Sequence, residues 1–165
     1  MRVSPVVLFF IMLARAAACS AQAQSARLIG ASVERFTASE GQLTAVNFRL
    51  TQLNPGRVGL DVAVGFVPSY LAAQALLLDV DAGVAYPMVA GPVRLLVKGG
   101  TASFLGVGQA VVLYPGLQAG LALAIPVERR CNLRLDVSRR LYLDPGEGTI
   151  GFWSVGIGLA AGPPR

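Results

Sequence analysis

The sequence predicts an all-β chain, an eight-stranded antiparallel up-and-down transmembrane β-barrel that follows a cleaved signal peptide. Its clearest sign is the stretch Arg57-Val-Gly-Leu-Asp-Val-Ala-Val-Gly-Phe66, in which every second residue is a large apolar one. A period of two is that of a β-strand with two chemically different faces. Similar stretches recur along the chain, and charged residues make up only 14% of it. Because soluble domains carry roughly 25% charged residues, we expect the apolar face to contact lipid.

The N-terminal residues follow the order of a signal peptide. Arg2 is followed by an apolar run over residues 6–14 and then by small residues that end at Ala23, which is the pattern of a secretory leader. The apolar run is too short to span a bilayer as a helix. We therefore expect residues 1–23 to be a signal peptide and residues 24–165 to form one barrel domain.

Eight strands are expected behind the leader, separated by segments rich in turn-forming residues. Asn54-Pro-Gly56 and Asp144-Pro-Gly-Glu-Gly148 are typical of tight turns, because proline restricts φ and glycine tolerates a positive φ. A further break is expected at Pro87–Gly91, and a longer loop over residues 101–109. The predicted strands cover residues 26–37, 42–53, 57–67, 73–86, 92–100, 110–125, 131–143 and 149–160.

The face opposite to the apolar one collects most of the charged residues. An eight-stranded barrel has a narrow lumen that side chains fill, and an unpaired charge buried there would be costly. Acids and bases on this face are balanced in number, so we expect a structural charge network in the lumen, with Arg134 and Asp136 as neighbours. Its members are Glu34, Arg49, Asp61, Asp79, Asp81, Arg94, Lys98, Arg134, Asp136 and Arg140.

Three segments resemble those of a known family: the glycine-rich Leu95–Gly100, the strand Asn132–Tyr142 with an inward acid and arginine, and the closing strand Gly151–Leu159. They are similar to the small eight-stranded outer-membrane β-barrel family of Gram-negative-type bacteria. The resemblance implies an integral outer-membrane protein with periplasmic termini, surrounded by outer-membrane lipid and assembled by the barrel-assembly machinery. Members commonly end on an aromatic residue; the residues after Leu159 include none, so the assembly signal is expected further inward, at Phe152 and Trp153.

A filled lumen favours an envelope-structural or modest ligand-binding role over that of a small-solute channel. The chain contains no histidine, which removes the commonest general base and metal ligand. We therefore expect no catalytic, cofactor-binding or metal-binding residues, and no enzyme. The formal net charge of +5 is too small to favour nucleic acid as a partner, and a monomer is expected. The aromatic residues lie mostly near predicted strand ends, as in an interfacial girdle or as ordinary strand formers.

Two other architectures remain open from the sequence. One is a secreted soluble or lipid-anchored periplasmic β-barrel that binds a small apolar ligand, because Ala16-Ala-Ala-Cys19 is similar to a site of lipoprotein acylation. The other is a helical inner-membrane protein, suggested by the uncharged run from Gly99 to Val127. That run contains several glycines and prolines and alternates in its second half, which favours strands over a helix.

Overall fold

The computed structural model describes residues 26–39, 41–54, 56–71, 75–89, 92–108, 110–144, 146 and 148–162. The expected signal peptide, its cleavage site and Cys19 lie outside these residues. Within them, no helix has both the length and the apolar character needed to cross a membrane.

Eight antiparallel strands close into one barrel, in which each strand pairs with the next along the chain and the last pairs with the first. The predicted fold class, an eight-stranded up-and-down barrel, is therefore confirmed. One short helix, α1 (Pro68–Leu71), follows the third strand. The strands are β1 (Ala26–Ala38), β2 (Gly41–Asn54), β3 (Arg57–Phe66), β4 (Leu76–Val89), β5 (Arg94–Val107), β6 (Val111–Pro126), β7 (Cys131–Asp144) and β8 (Gly148–Ala161).

Two strands differ from the predicted ones. The expected break at Pro87–Gly91 begins too early, because β4 continues to Val89. Proline is accommodated there because the pairing with β5 shifts register between Pro87 and Val89, where the ladder is irregular and no donor is required. The predicted loop over residues 101–109 is also wrong. β5 continues to Val107 and pairs with β4 and β6 over that stretch.

The outer surface of the barrel is an apolar belt made by every second residue of each strand. Phe48 is 64% exposed, whereas Arg49, the next residue, is 5% exposed. Soluble proteins rarely expose a continuous apolar surface of this kind, so the belt suits contact with hydrocarbon. It includes Ile29, Val33, Phe48, Val64, Val84, Leu117, Leu121, Val137, Val155, Ile157 and Leu159, each more than a third exposed.

The lumen is filled in three layers. A terminal-end layer, nearest the described chain ends, contains Leu28, Leu53, Ala85, Leu96, Ala122, Ala124 and Ala160. An aromatic layer, near the opposite or loop end, contains Phe36, Ala45, Val67, Leu77, Ala102, Phe104 and Tyr142. A charge layer lies between them. Strand β1 crosses all three, because its buried residues run from Leu28 through Ser32 and Glu34 to Phe36.

Candidate functional site

The charge layer contains nine of the ten side chains expected in the lumen. The inward phase of strands β1 to β5 and β7 places them there, and each residue is at most 5% exposed. Burying so many ionised groups is tolerated only if each is paired and hydrogen-bonded. The five acids are Glu34, Asp61, Asp79, Asp81 and Asp136, and the four cations are Arg49, Lys98, Arg134 and Arg140.

Arg140 is at the centre of the part of the charge layer nearest the loop end. Its Nη1 lies 2.9 Å from an oxygen of Asp79 and 2.9 Å from an oxygen of Asp81. Its Nη2 lies 2.7 Å from Oε2 of Glu34, and the Phe36 ring centroid is 4.7 Å from Cζ. One guanidinium therefore joins three carboxylates from two strands and stacks on the aromatic layer.

Arg49 also binds three carboxylates, and it lies nearer the terminal-end layer than Arg140 does. Its Nη1 lies 2.6 Å from Oδ2 of Asp61, and its Nη2 lies 2.8 Å from Glu34 and 3.0 Å from Asp81. Glu34 and Asp81 are thus shared between Arg49 and Arg140. Because each shared carboxylate uses both oxygens, the two arginines are held in one connected network.

The third part of the layer is built around Asp136. Arg134 Nε lies 2.7 Å from one of its oxygens and Lys98 Nζ lies 2.6 Å from the other. Arg134 Nη1 also donates to Thr51 Oγ1 at 2.5 Å, and that hydroxyl donates to Asp61. Asp61 therefore connects this part of the network to Arg49.

Arg94, the tenth expected member, lies elsewhere. It is the first residue of β5 and pairs with Ala124 of the terminal-end layer, and its side chain is only half-buried. Its even spacing from Lys98 correctly predicts that both side chains share one face of β5. The spacing alone does not show that four residues of strand rise carry Arg94 past Leu96 of the terminal-end layer and out of the charge layer.

The aromatic layer was not predicted as a unit. Phe104 packs against Phe36 with ring centroids 5.4 Å apart and stacks on Tyr142 at 4.6 Å. Tyr142 packs in turn against Phe152 at 5.7 Å. Phe104 was missed because residues 101–109 were expected to form a loop. Phe104 nevertheless lies on the same face of β5 as Lys98. Phe36 and Tyr142 point into the lumen rather than forming part of an outer girdle.

An apolar cup opens above the aromatic layer at the loop end. Its volume is about 370 Å³. Phe104 and Tyr142 lie at its base, and Tyr70 and Tyr114 lie in its wall. Among the described residues, no cluster of three or more potential metal-ligating side chains occurs. Most of the lining of the cup is apolar or aromatic, and Asp144 adds one carboxylate to its wall.

Comparison with known proteins supports the fold. No protein-family model matches the chain, and no curated protein matches its sequence. Among solved structures, Neisserial surface protein A matches with a TM-score of 0.59 and 12% identity over 83% of this chain and 96% of its own. The N-terminal β-barrel domain of Pseudomonas aeruginosa OprF matches with a TM-score of 0.58 and 15% identity, over 84% of this chain and 99% of its own.

A de novo designed transmembrane β-barrel is also similar, with a TM-score of 0.51 and 17% identity over 86% of this chain and 98% of its own. At these identities the likeness concerns the fold. The expected resemblance to small eight-stranded outer-membrane β-barrels is confirmed at that level: this chain has their architecture.

Proposed function

We propose that this chain is an integral protein of the bacterial outer membrane, with a lumen closed by side chains and a structural role in the envelope. One observation carries the proposal: the middle of the lumen is filled by nine buried charged side chains, while the outward side chains are mostly large, apolar and exposed. A water-soluble barrel has the opposite arrangement. Transmembrane barrels combine an apolar outer band with a polar interior.

The closed lumen is supported by the connections within the charge layer. Glu34 and Asp81 each bind two arginines, and Asp61 and Asp136 each bind two cations. Moving any one of these acids to open a passage would break at least two buried ionic contacts at once, which is strongly unfavourable. Apolar layers lie on both sides of the network. This arrangement favours a barrel whose lumen does not conduct ions or small solutes.

Membrane location is tested by expressing the full chain in a Gram-negative host and separating the two membranes and the periplasm. We expect the protein in the outer-membrane fraction, with an unboiled gel mobility that changes on boiling. Recovery in the soluble periplasm, without heat-modifiable migration, would reject the proposal and favour a soluble or lipid-anchored barrel.

The closed lumen is tested separately in planar bilayers. The purified protein should add almost no steady current, while a general porin in the same bilayers serves as the positive control. Large, steady single-channel currents from the wild-type protein would reject the structural role in favour of a channel.

The apolar cup supports ligand binding as a second candidate function. Its volume of about 370 Å³ lies at the lower end of the range for small-molecule pockets, roughly 300–1,000 Å³. Aromatic side chains at its base and wall favour a small hydrocarbon or aromatic compound.

Gly106 offers a variant that fills the cup. A Cβ at this position would meet nothing closer than 3.7 Å, so Gly106→Leu should enter the cavity without displacing the backbone. Methyl NMR shifts of Leu77 and Ile150, both at the cup, are followed while toluene is added. We expect saturable shifts in the wild type and none in Gly106→Leu. Non-saturable shifts, or equal shifts in both proteins, would reject binding in the cup.

A further inference from the structure

The outward face of the strands holds very few charges, and all of them are positive. Among the described strand residues in the outward register, the charged ones are Arg27, Arg35 and Arg139. No acid occurs in that register. An arginine on the lipid face costs about 2–4 kcal/mol near the bilayer midplane and much less near an interface. These three positions therefore require a polar or anionic environment outside the barrel.

Arg35 and Arg139 lie on either side of one strand. Arg35 of β1 pairs with Val155 of β8, and Arg139 of β7 pairs with Trp153 of β8. Adjacent strands lie about 4.8 Å apart, so the backbones of β1 and β7 are roughly 10 Å apart across β8. Both arginines are long enough to reach a single group placed over β8.

Both guanidinium groups extend towards the loop end. A Cβ at Gly151 would lie 2.4 Å from Arg139 Nη2, so this group occupies the space beside Gly151, one pairing step nearer the β7–β8 turn than Trp153. Arg35 Nη2 donates to Gln42 Oε1 of β2, near the β1–β2 turn, so the Arg35 side chain must turn back across β1 to reach a group over β8. Long cationic side chains take this direction when the polar surface of a membrane lies at that end.

The surroundings of the two cations leave room for an anion. Arg139 Cζ lies 5.5 Å from the centroid of the Trp153 ring, and tryptophan is enriched at the headgroup level of membranes. Within the part of the chain that the structure describes, neither guanidinium forms an ion pair with a carboxylate. Each guanidinium carries five N–H donors, and the contacts described above use only a few of them.

We propose that Arg35, Arg139, Gly151 and Trp153 form a binding site for the phosphate of an anionic outer-leaflet lipid, here named the arginine notch. The two guanidiniums bind the phosphate oxygens from the two sides of β8, as the planar fork of arginine favours. Because Gly151 has no side chain, the Arg139 guanidinium can lie against β8. The lipid chains lie along the apolar belt. This inference rests on the proposed membrane location of the barrel.

Binding is measured by native mass spectrometry on the full-length protein, purified in mild detergent. Dilauroyl phosphatidic acid is the probe, and dilauroylglycerol, which has the same chains without phosphate, is the comparison. We expect the wild-type protein to bind one phosphatidic acid at least ten-fold more tightly than the diacylglycerol. The double variant Arg35→Gln, Arg139→Gln should lose this preference.

Arg27→Gln is the matched control, because Arg27 lies in the same outward register of β1 but at the other end of the strand. It should keep the preference. An unchanged preference in the double variant, or an equal loss in Arg27→Gln, would overturn the arginine notch. Competition by inorganic phosphate at the same concentration as the lipid would overturn the assignment to a lipid.

Heat-modifiable migration checks that every variant is folded. Failure of the lipid-binding experiment can be distinguished from failure of the membrane-location experiment. If the protein were found in the soluble periplasm, the proposed function would fail whatever the lipid data. If it is found in the outer membrane but the double variant binds phosphatidic acid normally, only the arginine notch fails.

Discussion

Arg140 on β7 donates to Glu34 on β1, with 2.7 Å between Nη2 and Oε2, although the two residues are 106 positions apart in the chain. Strand β8 lies between β7 and β1. At this level β8 has Gly156, which pairs with both Glu34 and Asp136. A Cβ on Gly156 would lie 2.6 Å from Glu34 Cγ. The ion pair therefore depends on the absence of a side chain on the strand between its partners.

Gly156→Ala should weaken the barrel by displacing Glu34 from its arginines. Overpacking of this kind typically costs about 1–3 kcal/mol. Gly41→Ala is the control, because a Cβ at Gly41 meets nothing within 4 Å, and its effect should stay within about 0.5 kcal/mol. Urea unfolding in lipid vesicles, followed by fluorescence of Trp153, the single tryptophan, measures both. Similar losses for the two variants would contradict the close contact at Gly156.

Arg140→Met should be strongly destabilising. It removes the group that pairs with Glu34, Asp79 and Asp81, and breaking a buried ion pair from one side typically costs about 3–5 kcal/mol. Arg129→Met, at an exposed turn position, should change the free energy of unfolding by no more than about 0.5 kcal/mol. The same urea titration compares them. A small effect at Arg140 would show that the network does not stabilise the barrel.

Lys98 and Asp136 should be energetically coupled, because their charged atoms are 2.6 Å apart. Lys98→Met, Asp136→Asn and the double variant complete a double-mutant cycle. Contacting residues typically show coupling of about 0.5–3 kcal/mol, so Asp136→Asn should cost less when Lys98 is already replaced. Arg134→Ala is a poorer partner for this cycle, since Lys98 would still face Asp136. Additive losses would argue against the contact.

Val62→Arg should destabilise the barrel in bilayers much more than Ala63→Ser. Val62 lies in the outward register, whereas Ala63 is 2% exposed and faces inward between Arg49 and Asp81 in the sheet. An arginine facing lipid near the midplane costs about 2–4 kcal/mol, while a hydroxyl at Ala63 enters a polar interior. Unfolding in lipid vesicles gives both values. If the two losses were equal, the outward surface at Val62 would not face lipid.

The sequence by itself determined which face of each strand would be apolar. Alternation is a local property, because successive side chains of a strand point to opposite sides whatever the strand pairs with. Asp61 and Val62 could therefore be assigned to opposite faces from a few neighbouring residues. The contrast was weakest in β5, where Thr101 and Ser103 face outward while Ala102 and Phe104 face inward. Because of these polar residues, the second half of β5 was predicted as a loop, and Phe104 at the base of the cup was missed.

Only the tertiary structure decided which groups meet. Arg134 and Asp136 are predicted as neighbours because they are two residues apart on one strand. The sequence of that strand cannot show that Lys98, on another strand, also binds the carboxylate of Asp136. The partners of Arg140 and the two sides of the arginine notch are likewise set by the register between strands and by barrel closure. Those quantities depend on long-range pairing, since side chains distant in sequence reach one another only after every intervening strand has taken its place.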